Sequence, residues 1–532
     1  MPRIDPAIAR DYLSRGWWGT DSLADLVRTR ARRQPNDLAI RSGENAVTWG
    51  AYDSLADAIA EQLVAAGLGR GATVAVLLPD GIAIHGVLIG ARRAGVVTMG
   101  IGSRSGDAEV EHLLRKSTAR ALITAPTHRG RTGAEIRQAM AARGVEVEVL
   151  MTVSDAGVEE VIGSAGPPVE PSPLGPNEIS MLNSTSGTTG LPKCVTQYDN
   201  RWIHFSRLAI EAGGLQPDEM VLSVVPTPFG FGLWTSHYLG PVLGVPTIVL
   251  PTFSADEMIR VIERDRVTVL NAVTTQFRMM LGSAELEDAD LSSLRVMFTG
   301  GEAIPVERAT EFEERTGARL LQFFGSNETG AVSCTTLADP REKRLTTGGR
   351  LIAHMEGRIV DERGMPLGPG ERGAPACRGP LNCAGYFGDD AANEQLYTAD
   401  GWMLMGDVAT VDAEGYLTLV GRTSDIIIRG GKNISAAEVE NAVETHPDIT
   451  LVSVVPVADA LFGERVCAVI TVREGSGVTL ESLARHLESL GISREWWPER
   501  LLVIDEMPRN AGGKIAKAAV RDLVQSAATP AI

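Results

Sequence analysis

The sequence predicts an α/β protein in which a large N-terminal domain of two doubly wound subdomains precedes a small α+β C-terminal domain. Residues 72–101 and 220–250 share one layout: a β-rich run, a Pro/Gly loop, an apolar helix, a glycine and a second β-rich run. This layout is a strand–helix–strand unit, which joins parallel strands through a right-handed crossover. A chain of 532 residues also exceeds what one hydrophobic core usually supports, so we expect several packed units.

The remaining segments complete this plan. Five prolines within residues 154–177 are typical of an exposed connection between the two subdomains. Strand and turn spacing predicts a small β layer near residues 357–379. The pattern then restarts as two helices and three strands, so we expect an N-terminal core over residues 1–422 and a small α+β domain over residues 423–532.

Composition excludes several classes of function. The net charge of −17 argues against sequence-independent nucleic-acid binding, because neutralising phosphates needs a basic face and no Lys/Arg run supplies one. The five cysteines are widely spaced without a metal-ligand pattern, which is typical of a reducing cytosol. The N-terminus lacks an apolar signal core, and prolines interrupt the most apolar stretch. We therefore expect a cytoplasmic protein without an integral membrane segment.

The stretch "STSGTTGLPK" at residues 184–193 is rich in hydroxyls and glycines. Such a loop offers donors and allows close backbone approach, so it is suited to cradling phosphate. It is not a Walker A loop, since Leu191 and Pro192 separate the lysine from the preceding glycine. A plain turn is the ordinary alternative for a Ser/Thr/Gly loop, but the whole string ending in Lys193 is much more specific.

Five further motifs follow along the chain. "LLQFFGSNETG" predicts an apolar strand whose aromatic end can cover a flat base, and Glu328 behind it can hold Mg²⁺ or be an ordinary surface acid. "FTGGEAIP" is a second strand with a tight glycine turn. "GWMLMGD" ends on Asp407, and "GRTSDIIIRGGKNI" places Arg422 before the final domain. In "PRNAGGKIAK", Lys514 follows two glycines, a position typical of a lysine on a mobile loop that enters a site for one step and then withdraws.

Five of these motifs, in this order and with these gaps, resemble the adenylate-forming superfamily of acyl-CoA synthetases, peptide-synthetase adenylation domains and luciferases. They are "STSGTTGLPK", "FFGSNETG", "GWMLMGD", "GRTSDIIIRGGKNI" and "PRNAGGKIAK". The resemblance extends from about residue 21 to residue 524. It implies an AMP-forming ligase that uses ATP and Mg²⁺ to convert a carboxylic acid into an acyl-adenylate and pyrophosphate, and then passes the acyl group to coenzyme A.

The resemblance assigns roles at the matching positions. Lys514 would be the catalytic lysine, bridging the carboxylate and the α-phosphate, and Glu328 would ligate Mg²⁺. Asp407 would bind the ribose hydroxyls and Arg422 the ribose or a phosphate. The β- and γ-phosphates would be held by Thr185, Ser186, Gly187, Thr188, Thr189, Gly190 and Lys193. The adenine would be bounded by Gly301, Glu302, Ala303 and Phe324, and the nucleotide site would also include Gly325 and Asn327.

In the family the small domain rotates between the two half-reactions. Its glycine-rich face, Gly430 and Gly431, would meet the CoA arm. The CoA phosphates would then have as partners Arg429, Lys432 and Arg465.

Two positions depart from the family pattern. The hinge residue, usually Asp or Lys, is Ser424 here, so the hinge position stays open and Asp425 is a candidate. Asn327 replaces a phosphate-contacting Thr, but an amide can still donate, so we expect function to survive.

The acyl pocket is predicted from "PTPFGFGLW" and the strand before Phe324. Gly230 stands where amino-acid-activating relatives use Asp and hydroxybenzoate-activating relatives use Asn, so a plain apolar acid is favoured. Aromatic faces suit an alicyclic, aromatic or medium-chain acid. The candidate pocket residues are Phe229, Gly230, Phe231, Trp234 and Phe323. Simple core packing is an equal alternative for Phe231 and Trp234.

Two other functions stay open at this point. An acyl- or aryl-AMP ligase would load the phosphopantetheine of a carrier protein instead of CoA, and both acceptors present the same thiol arm. A nucleotide-binding relative without turnover is disfavoured, because Lys514 and Glu328 are both present. The sequence motifs do not indicate which carboxylic acid is used, which pathway the protein serves or which oligomeric state it has.

Overall fold

The computed structural model describes residues 4–184, 192–301, 304–422, 425–429, 432–459, 462–490, 492, 494–510 and 514–528. Within these ranges, two large sheets with mostly parallel strands build the N-terminal part. The α/β prediction is therefore confirmed, including the two doubly wound subdomains.

The first large sheet has seven strands. Its five central strands run parallel, and an antiparallel strand closes each edge. In spatial order the strands are Cys194–Tyr198, Ile179–Ser184, Val97–Gly100, Thr73–Leu77, Ala121–Thr124, Val149–Ser154 and Gly157–Ile162. The predicted unit at residues 72–101 supplies two of the central strands.

The second large sheet has nine strands, and six consecutive strands of it run parallel to one another. In spatial order they are Arg350–Leu351, Gly330–Cys334, Arg319–Ser326, Val296–Gly300, Val269–Asn271, Val221–Ser223, Thr247–Val249, Leu38–Ser42 and Asn45–Thr48. The last two strands come from the beginning of the chain and join this sheet by pairing Leu38–Ser42 with Thr247–Val249. The two sheets are therefore not consecutive blocks of sequence.

Helices cover both sheets and fill the space between them. In the described part of the chain the α-helices are Pro6–Ser14, Leu23–Arg33, Trp49–Ala65, Ile82–Ala94, Asp107–Ser117, Gly133–Ala142, Asp199–Ala212, Gly230–Gly232, Leu239–Leu243, Ala255–Arg264, Thr274–Leu281, Val306–Thr316, Arg341–Thr346, Asp390–Leu396, Ala436–Glu444, Leu480–Ser489 and Lys517–Ala528. A π-helix covers Leu233–Tyr238, and 3-10 turns cover Ala284–Glu287 and Arg494–Trp496. Of all these helices, none combines the length and the apolar character that a membrane span requires.

The crossover helix Ile82–Ala94 is the centre of the N-terminal core, and all its residues are buried. Gly90 lets it approach the helix Trp49–Ala65, because a Cβ there would lie 2.8 Å from the Ala56 carbonyl oxygen. At its end, Arg92 pairs with Asp199 at 3.0 Å. This ion pair ties the crossover helix of the first sheet to the helix Asp199–Ala212.

Three small sheets follow. The predicted β layer near residues 357–379 is present as Glu356–Val360, Ala374–Arg378 and Met403–Leu404. A two-stranded ribbon pairs Asp407–Val411 with Leu417–Arg422. The last sheet contains Lys432–Ser435, Ile426–Arg429, Gly463–Val472, Ile449–Asp459 and Arg500–Val503. A short hairpin of Thr127–His128 and Arg131–Thr132 lies apart from them.

The last sheet and its helices have apolar clusters of their own, built from residues beyond 426. The predicted helix–strand–strand–helix–strand order is found there, preceded by a hairpin of Ile426–Arg429 and Lys432–Ser435 and followed by the helix Lys517–Ala528. The placement of the domain boundary at residues 422 and 423 stays a prediction.

Candidate active site

A cavity of about 820 Å³ lies between the nine-stranded sheet and the C-terminal part of the chain. The parallel strands Val296–Gly300 and Arg319–Ser326 end at this cavity, which is where ligands of open α/β sheets usually bind. The predicted site residues in its lining are Phe229, Gly301, Phe323, Phe324, Gly325, Asp407, Arg422 and Lys514.

Lys514 reaches into the cavity from the C-terminal side. Its Nζ donates to the Gly301 carbonyl oxygen at 2.8 Å. Its loop is braced by Asn510, whose side-chain oxygen accepts the Lys514 N–H at 3.0 Å and whose own N–H donates to the Lys514 carbonyl at 2.8 Å. Gly301 has φ +86°, and a Cβ there would lie 2.4 Å from the lysine Nζ. A glycine is therefore required for this approach.

Asp407 is a buried carboxylate, 4% exposed, at the start of the ribbon strand Asp407–Val411. It faces Arg422 across the ribbon, with 3.4 Å between Oδ1 and the arginine Nε. Burial raises the pKa of Asp407 to about 6, and the positive charges of Arg422 and Lys514 oppose that rise. A carboxylate with so little water around it is a strong acceptor for a hydroxyl donor.

Glu328 is fixed by a residue that the sequence did not single out. Tyr386 donates its hydroxyl to Glu328 Oε1 at 2.8 Å, and the Lys193 Nζ lies 4.7 Å from the centre of the same ring. Burial and the neighbouring Glu328 raise the pKa of Tyr386, so the hydroxyl keeps its proton. The ring thus joins the candidate metal ligand to the lysine that ends the hydroxyl-rich loop. The two partners are 58 residues apart, and spacing alone gives no signal for such a contact.

Asn327 links two segments of the site. Its side-chain oxygen accepts the Gly230 N–H at 2.8 Å, and its side-chain nitrogen donates to the Ser184 carbonyl at 3.3 Å. A Cβ at Gly230 would lie 2.1 Å from that oxygen. The amide at position 327 and the glycine at position 230 therefore require each other.

The predicted acyl-pocket residues divide into two groups. Phe229 and Phe323 line the cavity. Trp234 is 1% exposed, lies outside the lining and packs against Phe205 at 4.6 Å and Phe323 at 5.6 Å between ring centres. Phe231 packs edge-on against Trp234 at 5.5 Å and also lies outside the lining, as does Gly230. For Phe231 and Trp234 the geometry favours core packing, because neighbouring rings fill the space around the indole.

The candidate CoA partners on the C-terminal domain are already paired. Arg429 makes two bonds to Glu499, at 2.8 and 3.0 Å. Arg465 contacts the same Glu499 at 2.8 Å and also Asp459 at 2.5 Å. Of Lys432 the structure describes the backbone only, as part of the strand Lys432–Ser435.

The hinge candidate Asp425 is attached to the final helix. It contacts Arg521 at 2.8 Å and Lys517 at 3.4 Å. Lys517 also contacts Glu440 at 2.9 Å, which ties the final helix to the helix Ala436–Glu444. These contacts attach Asp425 to the C-terminal elements, and the position of a hinge stays a prediction.

Several predicted site residues lie outside the described residues. They are Thr185, Ser186, Gly187, Thr188, Thr189, Gly190, Glu302, Ala303, Ser424, Gly430 and Gly431.

Among the described residues, no three or more His, Cys, Asp or Glu side chains come together in a way that could hold a metal ion by themselves. Mg²⁺ in phosphate chemistry usually takes one or two carboxylates, with water and substrate phosphates completing its shell. Glu328, partly buried and oriented by Tyr386, fits that mode of binding.

Comparisons with known proteins agree with this arrangement. The family model described as "AMP-binding enzyme" matches residues 27–387, and the model "AMP-binding enzyme C-terminal domain" matches residues 438–514. The medium-chain fatty-acid–CoA ligase of Escherichia coli is 29% identical over 96% of this chain and 92% of its own length. The vibriobactin-specific 2,3-dihydroxybenzoate–AMP ligase of Vibrio cholerae is 30% identical over 97% and 96%.

Among solved structures, the anthranilate CoA ligase AuaEII in complex with anthranoyl-AMP has the same fold. It aligns with a TM-score of 0.86 at 21% identity, covering 96% of this chain and 98% of its own. The family models cover more than half of the chain, with both parts in the expected order. The chain belongs to the AMP-binding enzyme family, the adenylate-forming superfamily that its motifs resemble.

Proposed function

We propose that this protein is an AMP-forming acid–thiol ligase that acts in two steps. In the first step a carboxylate oxygen attacks the α-phosphorus of ATP, an O–P bond forms, the bond to the β-phosphate oxygen breaks, and pyrophosphate leaves. In the second step a thiolate sulfur attacks the acyl carbonyl, a C–S bond forms, the C–O bond to AMP breaks, and AMP leaves. The proposed acceptor is the thiol of CoA.

The observation that carries the proposal is the position of Lys514 in the cavity. Two anions must meet in the first step, and a preset cation between them lowers the barrier. The Lys514 ammonium lies 2.8 Å from a backbone carbonyl at the end of a parallel strand, in the same cavity as Asp407 and Phe324. We assign Lys514 to the bridge between the carboxylate and the α-phosphate.

The other roles follow from the surroundings of each residue. Asp407 is a desolvated acceptor beside Arg422, which suits the ribose hydroxyls. Glu328 would hold Mg²⁺, and the ion would neutralise phosphate charge when bound. Phe324 and Gly325 would border the nucleotide, with Glu302 and Ala303 beyond Gly301. The loop at residues 185–190, together with Lys193, would hold the leaving pyrophosphate.

An apolar acid is the proposed substrate class. Phe229 and Phe323 line the cavity, and Asn327 Oδ1 already accepts the Gly230 N–H. The segment thus presents no carboxylate at position 230 for an ammonium group. Alicyclic, aromatic and medium-chain acids satisfy these conditions.

Loading of a carrier-protein phosphopantetheine is the second candidate. One observation favours it: a 2,3-dihydroxybenzoate–AMP ligase is among the relatives.

Pyrophosphate release from a panel of carboxylic acids, first without an acceptor, tests the first step. Product analysis with CoA or with a phosphopantetheinylated carrier protein then decides the acceptor. Thioester formed on CoA at the higher kcat/KM supports the proposal. Release of pyrophosphate with none of the acids would refute it.

A further inference from the structure

An ion pair joins the large domain to the C-terminal domain at the edge of the cavity. Arg278, on the helix Thr274–Leu281, contacts Glu444 at 2.6 Å, and the two side chains are only 11% and 6% exposed. The same Arg278 Nη2 donates to the Thr450 carbonyl at 2.8 Å. One guanidinium therefore holds the end of the helix Ala436–Glu444 and the start of the strand Ile449–Asp459 together.

The pair lies beside the path by which Lys514 enters the cavity. Arg278, Glu444 and Lys514 all line that cavity. The next residue on the helix, Met279, contacts Arg509, which belongs to the same loop as Lys514, with 3.8 Å between Sδ and Nη2. This helix thus contacts the C-terminal domain at two places, one at Glu444 and Thr450 and one on the lysine loop itself.

We propose that the Arg278–Glu444 pair is a positioning device that keeps the C-terminal domain docked with Lys514 in the cavity. The inference rests on the proposed function, in which the adenylation step needs this lysine and the thioester step does not. Removing one partner of a buried ion pair leaves an uncompensated charge, whereas an exposed pair contributes little. Another ion pair between these parts, Arg372 with Glu438, is 3.4 Å long and its side chains are 58% and 28% exposed, so it is a weaker substitute.

The first experiment compares the two half-reactions. Arg278→Met keeps the apolar stem and removes the charge. With an acid that the wild type accepts, acid-dependent ATP–pyrophosphate exchange should fall about tenfold or more, while thioester formation from a supplied acyl-adenylate should change less than about twofold. The matched control is Arg260→Met. Arg260 and Glu257 form an exposed ion pair within one helix, Ala255–Arg264, of the large domain. An equal loss in both half-reactions would refute the positioning role.

A charge exchange separates the pair from general damage. Arg278→Glu and Glu444→Arg should each depress exchange, and the double variant should recover a large part of it, since the two charges face each other at 2.6 Å. Losses that simply add in the double variant would count against the pair.

A cross-linking experiment needs neither acid nor ATP. A variant with Met279→Cys and Arg509→Cys is treated with a short bismaleimide; the five native cysteines are all buried. Adding Arg278→Met should slow cross-linking at least about threefold if the pair maintains docking. An unchanged rate would overturn the inference. If the wild type releases pyrophosphate with none of the acids but cross-linking slows, the proposed function fails and the docking role stands.

Discussion

Asn327 accepts the backbone N–H of Gly230 at 2.8 Å while its nitrogen donates to the Ser184 carbonyl at 3.3 Å. Ser184 is the first residue of the hydroxyl-rich stretch 184–193, and Gly230 follows the cavity residue Phe229. A single amide therefore links the start of this stretch to the segment that follows the cavity residue Phe229.

Gly230→Ala should disturb both ends of that link. The new Cβ would lie 2.1 Å from Asn327 Oδ1, so the amide must rotate and the bond to Ser184 is lost. We expect a loss of about 1–3 kcal/mol in the free energy of unfolding and a lower rate of pyrophosphate exchange. Chemical denaturation measures the first and an exchange assay the second.

The control is Gly477→Ala, where a Cβ would meet nothing within 4 Å. Adding Asn327→Ala to Gly230→Ala should cost little more, because the two changes remove one shared interaction. Fully additive losses would show that the two residues act separately.

Lys514→Ala should abolish acid-dependent ATP–pyrophosphate exchange. Removing one preset donor usually costs about 10²- to 10³-fold in rate, and this lysine is assigned to the central charge of the first step. Thioester formation from a supplied acyl-adenylate should remain largely intact. The matched control is Lys343→Ala, because Lys343 pairs with Asp412 and Glu414 away from the cavity lining. Equal loss of both half-reactions would contradict the assigned role.

The parts of the fold that were predicted depend on local patterns. The two predicted strand–helix–strand units are confirmed as Thr73–Leu77 to Val97–Gly100 and Val221–Ser223 to Thr247–Val249. They could be predicted because strands and helices differ in the periodicity of their apolar residues, which is visible in the local sequence. The pairing of Leu38–Ser42 with Thr247–Val249 was not predicted, since it joins segments about 200 residues apart.

The site shows the same division. The positions of Asp407, Arg422 and Lys514 were marked by motifs, and all three line one cavity. The contact of Tyr386 with Glu328 depends on how a distant loop folds back, and no motif marks it. The pattern left Trp234 open between the acyl pocket and the core, and only the structure shows that four aromatic rings pack around its indole.

Tyr386→Phe should weaken the metal site without unfolding the protein. The change removes the hydroxyl that donates to Glu328 Oε1 and keeps the ring beneath Lys193. Partners that orient a metal ligand typically affect metal affinity about 10- to 100-fold, so the Mg²⁺ concentration for half-maximal exchange should rise toward that range. Glu328→Gln should also raise the Mg²⁺ requirement or lower turnover.

Tyr397→Phe is the control, because Tyr397 is 37% exposed, whereas Tyr386 is 8% exposed and donates its hydroxyl to Glu328. An unchanged Mg²⁺ dependence in both Tyr386→Phe and Glu328→Gln would return Glu328 to an ordinary surface role.

Asp407 should make stability and nucleotide binding respond to pH in opposite ways. Its pKa is raised from 3.8 to about 6 by burial, so between these values the folded state binds the extra proton. The contribution of this group to stability is therefore fully present below about pH 4 and is lost as the pH rises through about 6. Asp407→Asn, which does not ionise, should gain stability relative to the wild type as the pH rises across that window, and urea denaturation at pH 4 to 7 measures this. ATP binding to the wild type should strengthen over the same window, because the ionised carboxylate is the better acceptor for ribose hydroxyls. If the difference in unfolding free energy between Asp407→Asn and the wild type does not vary from pH 4 to 7, Asp407 stays ionised throughout and its pKa is not raised.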